Sequence, residues 1–363
     1  RKARKVLVTG AAGFIGSAFV RSLLRTLPEV EVIAFDKLTY AGNLDNLAPV
    51  ADDPRYRARY IFTQGDICDA AAVRASMRGC SWVVNFAAET HVDRSIVEPG
   101  AFVRTDVLGT YELLEAARSL QGEQGGEQGA EPGVERFLQI STDEVYGNAE
   151  APSGASRPSL ETDALKPLSP YAASKAGADR LAFSYWATYG VPVVVTRCSN
   201  NYGPYQYPEK QLPLFITNAL AGRAIPVYGD GANTRDWIHT DDHCAALLAI
   251  LQAPAQQVVG EVFNIGASEE RSILENARRI VALTGASESL ITFVEDRLGH
   301  VRRHAVDSAK LQRTLGWQPQ VTFDAGLAET VAWYRDHPEW LARVLERRDA
   351  FLGAALSLGS KGQ

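Results

Sequence analysis

The sequence predicts an α/β protein with a doubly wound parallel sheet, followed by a smaller mixed α/β lobe. Two observations lead to this prediction. Over the first half, short apolar segments rich in β-branched residues alternate with amphipathic helical segments, which is typical of parallel strands joined by crossover helices. After about residue 200 the pattern becomes mixed, with turn sequences between shorter elements. A chain of 363 residues with 46% hydrophobic content can also bury a large core.

The elements of the first half follow one another regularly. They are KVLVTG, FIGSAFVRSLLRTL, VEVIAFD, RYIFTQGDI, SWVVNFAA, a helix around TYELLEAARSL, and RFLQIST. Residues 121–133, QGEQGGEQGAEPG, interrupt this order with several glycines and no aromatic or β-branched residue. Such a segment cannot bury enough apolar surface to order itself. We predict a mobile surface loop there, and a partner-docking role is the less favoured alternative.

The later elements are shorter and less regular. They include the turns YGPYQYPE and YGDGANTRD and helices near LENARRIVALTG and DAGLAETVAWYRDH. We predict a first domain over residues 1–197 and a second mainly over 198–350, some of whose strands and helices return to the first. Residues 351–363 are predicted to be a tail whose end, SLGSKGQ, is frayed.

Charge and composition argue against several classes of protein. The net charge is −6 and the basic residues form no tract beyond RKARK, so we expect no nucleic-acid partner. No apolar run is long enough to span a membrane and no leader is visible, so we expect no membrane partner and a cytoplasmic location. The cysteines lack metal-ligand spacing, so we expect reduced, mostly buried thiols and no metal site. They are Cys68, Cys80, Cys198 and Cys244.

The motif GAAGFIG lies between the first predicted strand and the first helix, the context in which glycines indicate a dinucleotide site. Gly10 permits the tight turn, Gly13 lets a pyrophosphate approach the backbone, and Gly16 lets helix and strand pack closely. The helix N-terminus adds unpaired amides and positive partial charge. Asp36 closes the second strand, where a carboxylate binds both ribose hydroxyls and repels a 2′-phosphate. The sequence therefore predicts a Rossmann-type NAD site, with Lys37 able to soften the discrimination against NADP.

The segment SPYAASK predicts a helix on which Tyr171 and Lys175 share one face. Ser169 is a good N-cap and Pro170 a good first helical residue, and side chains four residues apart are neighbours. A nearby ammonium stabilises a phenolate, so we expect Lys175 to lower the pKa of Tyr171 from its ordinary value of about 10. An ordinary surface pair is the alternative interpretation, which the dinucleotide motif makes less favoured.

Two adjacent carboxyl groups, Asp143 and Glu144, follow the apolar segment RFLQIS in the stretch STDEVYG. Successive side chains of a regular strand face opposite ways, so both can reach one substrate only if the strand ends at about Thr142. We therefore predict a turn there. The alternative is that the two carboxyl groups only cap that turn.

These motifs resemble the extended short-chain dehydrogenase/reductase superfamily, and within it the nucleoside-diphosphate-sugar branch and the dTDP-glucose 4,6-dehydratases. The resemblance spans roughly residues 5–335. Its further supporting stretches are LTYAGNLDNL, QGDI, FAAETHVDRS, RCSNNYGPYQYPEKQLPLF, YGDGANTRDWIHTDDHC and DRLGH.

The resemblance implies a three-step reaction that converts dTDP-glucose to dTDP-4-keto-6-deoxyglucose and water. Tyr171, beside Lys175 and Thr142, would take the C4 hydroxyl proton as hydride passes to a tightly bound NAD. Glu144 would then remove the C5 proton and Asp143 would protonate the leaving C6 hydroxyl, because adjacent carboxyl groups resist ionising together. Hydride then returns to C6, so NAD is recycled. The resemblance also implies a homodimer and a role in deoxysugar biosynthesis.

The resemblance assigns further binding residues. Additional cofactor contacts would be Phe14, Ile15, Thr39, Asp66, Ile67, Ala87 and Ala88. Sugar and pyrophosphate contacts would be Glu89, Thr90, Arg94 and Asn200, and nucleotide contacts would be Lys210, Leu212 and Pro213. Diphosphate contacts would be Arg235, Arg297 and His300, because guanidinium matches phosphate oxygens, and base contacts would be Asn233 and Tyr228.

The chain departs from the family pattern at three positions. Asp106 and Ile273 stand where the family commonly has Asn, and His304 stands where it often has Tyr. Within the fold the alternatives are a nucleotide-sugar 4-epimerase, a UDP-glucuronate decarboxylase, and a GDP-mannose or UDP-sugar dehydratase. The adjacent carboxyl groups favour a dTDP-glucose dehydratase, and a silent dinucleotide-binding regulator has no use for them.

Overall fold

The structure is a computed structural model that describes residues 4–122, 133–150, 153–296 and 300–347. Arg297, most of the predicted loop 121–133 and the predicted tail 351–363 lie outside the described residues. Among the helices that are described, none is both long enough and apolar enough to cross a bilayer.

The strands are mostly short. They are β1 (Arg4–Thr9), β2 (Val30–Asp36), β3 (Tyr60–Gln64), β4 (Cys80–Asn85), β5 (Arg136–Thr142), β6 (Val193–Cys198), β7 (Asn200–Tyr202), β8 (Ile225–Tyr228), β9 (Thr234–His239), β10 (Val262–Ile265), β11 (Glu270–Ser272), β12 (Ile291–Val294) and β13 (Arg303–His304).

The α-helices lie between these strands and after them. They are α1 (Phe14–Thr26), α2 (Ala48–Ala51), α3 (Ala70–Met77), α4 (Val92–Val97), α5 (Pro99–Phe102), α6 (Thr110–Gly122), α7 (Pro170–Tyr189), α8 (Gln211–Leu220), α9 (Thr240–Gln252), α10 (Ala255–Val258), α11 (Ile273–Thr284), α12 (Ala309–Leu315) and α13 (Phe323–Asp336). Residues 338–347 are also helical. Short 3₁₀ helices cover Leu44–Asn46, Asp143–Tyr146 and Glu288–Leu290, and Val103–Gly109 is π-helical.

A seven-stranded parallel sheet organises the molecule, in the order β10-β6-β5-β4-β1-β2-β3. Successive side chains of β1 belong to different hydrophobic cores. Val6 and Val8 pack with α1 and α9 on one face of the sheet, and Leu7 packs with α6 and α7 on the other. Burial on both faces is why these strands read as continuous apolar runs. The predicted doubly wound parallel sheet is confirmed.

The second half of the chain contributes smaller sheets. One has the strand order β11-β9-β13, with β7 also paired to β9, and another joins β12 to β8. The predicted boundary after residue 197 lies one residue before β6 ends, and β10 then returns to the edge of the large sheet. The division of the chain into domains stays a prediction.

The carboxyl ends of the parallel strands meet at one edge of the large sheet. The glycine motif follows β1, the segment 86–90 follows β4, and the acidic pair follows β5. Pairing of Thr142 with Cys198 sets the ends of β5 and β6 side by side. Ligands of open α/β sheets bind at this edge, and the candidate site lies there.

Candidate active site

One pocket at the carboxyl edge of the sheet contains every predicted cofactor and catalytic residue. The predicted cofactor residues that line it are Gly10, Gly13, Phe14, Ile15, Gly16, Asp36, Lys37, Thr39, Asp66, Ile67, Ala87 and Ala88. The predicted catalytic residues that line it are Thr142, Asp143, Glu144, Tyr171 and Lys175. We call this cavity the main pocket.

The three glycines of the motif meet different surroundings. Gly10 has φ +65°, and a Cβ there would lie 2.7 Å from the backbone nitrogen of Ala87. A Cβ on Gly16 would lie 2.1 Å from the carbonyl oxygen of Gly10, so these two positions require glycine for the turn and for helix packing. At Gly13 a Cβ would meet one described atom within 4 Å, the carbonyl oxygen of Gly10 at a tight 3.3 Å, and the open space on its other sides can take a phosphate beside the start of α1. The loop therefore fits a dinucleotide.

The Asp36 carboxylate is fixed by the backbone around it. It accepts hydrogen bonds from the amides of Ala12 at 2.9 Å and Leu38 at 2.7 Å. Burial raises the pKa of Asp36, and these two bonds oppose the rise. Lys37 forms an ion pair with Asp66 at 2.7 Å. Asp36 thus presents its carboxylate at the end of β2 while the charge of Lys37 is engaged elsewhere.

The acidic pair begins a 3₁₀ turn directly after β5. The strand ends at Thr142, as predicted, and Asp143–Tyr146 follows as a 3₁₀ helix. The Thr142 hydroxyl caps this helix by accepting a hydrogen bond from the amide of Glu144 at 3.3 Å. The break in strand geometry lets both carboxyl groups line the main pocket.

The Asp143 carboxyl is 3% exposed, and among the described residues its Oδ2 has no hydrogen-bond partner. Burial raises its pKa well above the ordinary value. The negative charges of Glu144 and Asp236 add to this rise, and the positive charge of Arg235 opposes it. The surroundings of Asp143 therefore favour a protonated carboxyl group.

Tyr171 and Lys175 lie on α7, whose start is as predicted. The Ser169 hydroxyl caps the helix by accepting from the amide of Ala172 at 3.1 Å, and Pro170 is its first residue. The Lys175 ammonium donates to the carbonyl of Ile140 at 2.7 Å, which ties α7 to β5.

The expected lowering of the pKa of Tyr171 was wrong for this structure. Burial raises the pKa well above 10, the charges of Glu144 and Asp106 add to the rise, and a hydrogen bond with Thr142 opposes it. Burial also lowers the pKa of Lys175. The sequence showed the spacing of the pair but not the depth at which it is buried.

Asp106, one of the departures from the family pattern, lies beneath these residues. Its carboxylate is 1% exposed and accepts from the Ser174 hydroxyl at 2.5 Å and from the Glu89 amide at 2.8 Å. Burial raises the pKa of Asp106 to about 6, against the positive charge of Lys175. Asp106 joins the segment after β4 to α7, the helix that carries Tyr171 and Lys175.

The predicted substrate residues divide into two groups. Glu89, Thr90, Asn200 and Lys210 line the main pocket, and the Lys210 ammonium donates to the carbonyl of Thr90 at 2.5 Å. Arg94 forms an ion pair with Glu209 at 2.7 Å, and its guanidinium lies 3.6 Å from the ring centre of Tyr40, a pocket residue.

Six other predicted substrate residues are described by the structure and are not among those that line the main pocket, and Arg297 lies outside the described residues. Leu212 and Pro213 are buried, Leu212 within a hydrophobic core. The remaining four lie close together: Tyr228, Asn233, Arg235 and His300. There Asn233 Nδ2 and His300 Nδ1 are 2.9 Å apart, Tyr228 packs edge-on against His300, and Arg235 Nη2 donates to the carbonyl of Val301. Two departures from the family pattern lie nearby: Ile273 is buried, and His304 pairs with Arg235 across β13 and β9.

Comparison with known proteins gives close relatives over most of the chain. A dTDP-glucose 4,6-dehydratase of Neisseria meningitidis is 48% identical over 94% of this chain and 96% of its own length. One of Actinoplanes is 48% identical over 93% of this chain and 99% of its own length. The crystal structure of DesIV, a dTDP-glucose 4,6-dehydratase from Streptomyces venezuelae with NAD bound, aligns with TM-score 0.84 at 47% identity, over 93% of this chain and 98% of DesIV. The chain belongs to the dTDP-glucose 4,6-dehydratase family.

A family model described as GDP-mannose 4,6 dehydratase also matches residues 7–330. The two comparisons agree on a nucleotide-sugar 4,6-dehydratase and differ in the nucleotide named. The relatives carry more weight on that difference, because they share almost half of the residues over nearly full length.

Several residues of this dehydratase pocket were not predicted individually. They are Tyr40, Asn43, Asn46, Tyr205, Gln206, Tyr207, Trp340 and Val344. The aromatic residues of YGPYQYPE were a usable signal, because three tyrosines in a turn need a surface to pack on. Trp340 and Val344 gave no signal, since they lie far from the pocket residues in sequence.

Proposed function

We propose that this chain converts dTDP-glucose to dTDP-4-keto-6-deoxyglucose and water with a resident NAD. The observation that carries the proposal is the buried Asp143 oxygen beside Glu144, which has no hydrogen-bond partner in the described part of the chain and lies in the same pocket as the glycine loop and Tyr171. Only an elimination uses that acidic pair, since oxidation at C4 needs no second acid. The family relationship adds dTDP-glucose as the substrate of the relatives.

The glycine loop and Asp36 would hold the NAD. Gly13 leaves space for the pyrophosphate beside the start of α1, and the Asp36 carboxylate would bind the ribose hydroxyls. Lys37, paired to Asp66, would not compete for the ribose. When bound, NAD accepts a hydride from the sugar and later returns it.

In this proposal Tyr171 removes the proton from the C4 hydroxyl. Burial alone favours the neutral phenol, so two other groups must stabilise its oxyanion. Thr142 is hydrogen-bonded to Tyr171, and Lys175 lies one helical turn along the same face of α7. Loss of the hydroxyl proton, together with transfer of the hydride on C4 to the NAD that would be bound there, gives the ketone that makes C5 acidic.

The acidic pair then removes water from C5 and C6. Glu144 takes the C5 proton, and Asp143 gives its own proton to the C6 hydroxyl, which leaves as water. Burial and the charge of Glu144 both hold a proton on Asp143, as a general acid requires. Adjacent carboxyl groups in opposite protonation states are thus a consequence of their positions at the end of β5.

The first experiment incubates the purified chain with dTDP-glucose and no added NAD. We expect a product lighter by one water in mass spectrometry, with a C6 methyl signal in NMR. Glu144→Gln should accumulate the 4-keto sugar that still has its C6 hydroxyl, and product formation should fall by roughly 10²–10⁴-fold. If NAD is supplied and the sugar is only epimerised at C4, the chain is an epimerase and the proposal is wrong. UDP-glucose in parallel tests the choice of nucleotide.

A homodimer is a further part of the proposal. Several apolar side chains of α4, α6, α7 and the π-helical segment are exposed in the single chain. They are Ile96, Val97, Val103, Leu108, Tyr111 and Tyr189. Exposed apolar residues on neighbouring helices often mark a subunit interface, and replacing Val103 by Glu should shift light scattering of the protein toward the monomer mass. A cytoplasmic location stays a prediction.

A further inference from the structure

The wall of the main pocket includes residues from the end of the described chain. Trp340 and Val344 of the 338–347 helix line the same cavity as the glycine loop. Both side chains are buried, at 5% and 3% exposure. Trp340 lies almost 300 residues after Asn46 in the sequence. A helix from the end of the described chain therefore completes a pocket that the first strands begin.

A buried hydrogen-bond chain connects this helix to the glycine loop. The Trp340 indole donates to Asn46 Oδ1 at 2.9 Å. The same Asn46 donates through Nδ2 to the carbonyl of Ala12 at 3.0 Å, and Ala12 lies inside the glycine motif. Asn43, at the other end of this segment, donates its backbone N–H to the same carbonyl at 2.9 Å. Movement of Trp340 would therefore leave a buried amide oxygen of Asn46 without its donor, which costs more than an exposed bond.

Charged residues extend this contact toward the surface. Arg343 pairs with Asp45 at 2.8 Å, and Arg347 contacts Asp45 at 3.6 Å and Asn43 as well. These pairs are largely exposed, so each adds little to the binding free energy of the helix. Their positions fix the register of the helix on the segment 43–46.

The 338–347 helix also packs against aromatic side chains of other segments. Trp340 packs against Trp333 with ring centres 5.0 Å apart and against Tyr205 at 5.9 Å. Tyr205 also lines the main pocket and has φ +68°, an unusual conformation for a side chain of this size. The Arg21 guanidinium of α1 lies 4.4 Å from the ring centre of Tyr205. The helix is thus packed against elements on both sides of the pocket.

We propose that the 338–347 helix retains the dinucleotide, with Trp340 and Val344 as binding residues that slow its release. This inference rests on the proposed function, in which one NAD serves every turnover and its loss would stop the enzyme. Release of the dinucleotide would require the helix to separate from Asn46 and Tyr205. The site residues that the sequence predicted bind and use the cofactor, whereas this helix governs how long it stays.

The test measures the release of NAD from the full-length protein after it is loaded with labelled NAD. Excess unlabelled NAD is added, and the bound label is followed with time. We expect Trp340→Ala and Val344→Ala to release the label at least about tenfold faster than the wild type, because each loses buried apolar contact. Turnover by these variants should fade without added NAD and recover when NAD is supplied.

Two matched controls separate retention from general weakening of the fold. Trp317→Ala removes a buried indole that lies outside the main pocket, and Glu346→Ala changes an exposed residue of the same helix. Both should release NAD within about twofold of the wild-type rate. If Trp340→Ala and Val344→Ala release NAD at the wild-type rate, or if Trp317→Ala releases it as fast as they do, the helix does not retain NAD. Either result leaves the proposed function standing. A wild-type protein that neither binds NAD nor forms product refutes the proposed function as well.

Discussion

The Ser174 hydroxyl donates a 2.5 Å hydrogen bond to the Asp106 carboxylate, one residue before the buried Lys175. Asp106 also accepts from the Glu89 amide, at the wall of the main pocket. One carboxylate therefore contacts both the helix that carries Tyr171 and the segment after β4 that lines the main pocket. It lies in the π-helical segment Val103–Gly109, and such segments occur frequently at functional sites.

Asp106→Asn should change how stability depends on pH. The pKa of Asp106 is about 6 in the folded chain, whereas its ordinary value, which applies to the unfolded chain, is 3.8. Stability from this group therefore falls as pH rises from about 3.8 to about 6, and is constant above. The free energy of unfolding of Asp106→Asn minus that of the wild type should therefore be about 2 kcal/mol more positive at pH 7.5 than at pH 4.5. Urea unfolding of both proteins at the two pH values measures it.

A pH-independent difference between the two proteins would contradict this expectation. Other carboxyl groups titrate equally in both proteins and cancel in the comparison. Ser174→Ala provides the control, because it removes one hydrogen bond and leaves the Asp106 carboxyl group in place. Its pH dependence should keep the sign seen in the wild type.

Gly13→Ala and Gly16→Ala should fail in different ways. A Cβ at Gly13 meets only the Gly10 carbonyl at 3.3 Å, so the fold should persist while the dissociation constant for NAD rises by about tenfold or more. A Cβ at Gly16 would lie 2.1 Å from the same carbonyl, so this variant should lose stability first. Thermal unfolding without ligand and NAD titration separate the two effects. Equal losses of stability in both variants would show that the two glycines share one role.

Asp36→Asn should weaken the preference for NAD over NADP. The substitution removes the negative charge that repels a 2′-phosphate, and one of the two backbone bonds from Ala12 and Leu38 loses its acceptor. We expect the ratio of the two dissociation constants to fall by about tenfold, as measured by titration of the cofactor-free protein. An unchanged ratio would mean that Asp36 acts only on the backbone. Arg25→Ala is the control, because this exposed residue of α1 is not among those that line the main pocket.

The predictions that succeeded rest on local physics. The end of β5 at Thr142 followed from the need for adjacent carboxyl groups to face one pocket, and the start of α7 followed from Ser169 and Pro170. The sheet followed from strand and helix periodicities that each span a few residues. These features are decided within one turn or one strand of the residues concerned.

The parts that sequence reasoning missed depend on long-range packing. The pKa of Tyr171 is set by burial beneath several elements, which no spacing of Tyr171 and Lys175 reveals. Trp340 reaches the pocket only because the helix after α13 packs back on the segment 43–46. The positions of His300 and Arg235 likewise depend on how the smaller sheets are placed.

Arg197→Met should destabilise the protein and disturb the active site together. Arg197 is 2% exposed on β6 and bonds Asp179 of α7 at 2.8 Å and the Tyr146 hydroxyl at 2.7 Å. It therefore joins the turn that carries the acidic pair to the helix that carries Tyr171. Removing it leaves the buried Asp179 with Arg180 as its remaining ion-pair partner, and we expect unfolding in urea to require about 3 kcal/mol less free energy.

The compensating variant decides whether this loss comes from the unpaired charge. Arg197→Met with Asp179→Leu replaces the ion pair by apolar side chains, which often restores stability because no charge is left buried. We expect stability to recover in the double variant while turnover stays low, since the bond to Tyr146 remains absent. Arg55→Ala, which removes a largely exposed pair with Asp53, should leave the urea unfolding curve almost unchanged, because water already screens this pair. Recovery of both stability and turnover in the double variant would show that Arg197 serves the fold alone.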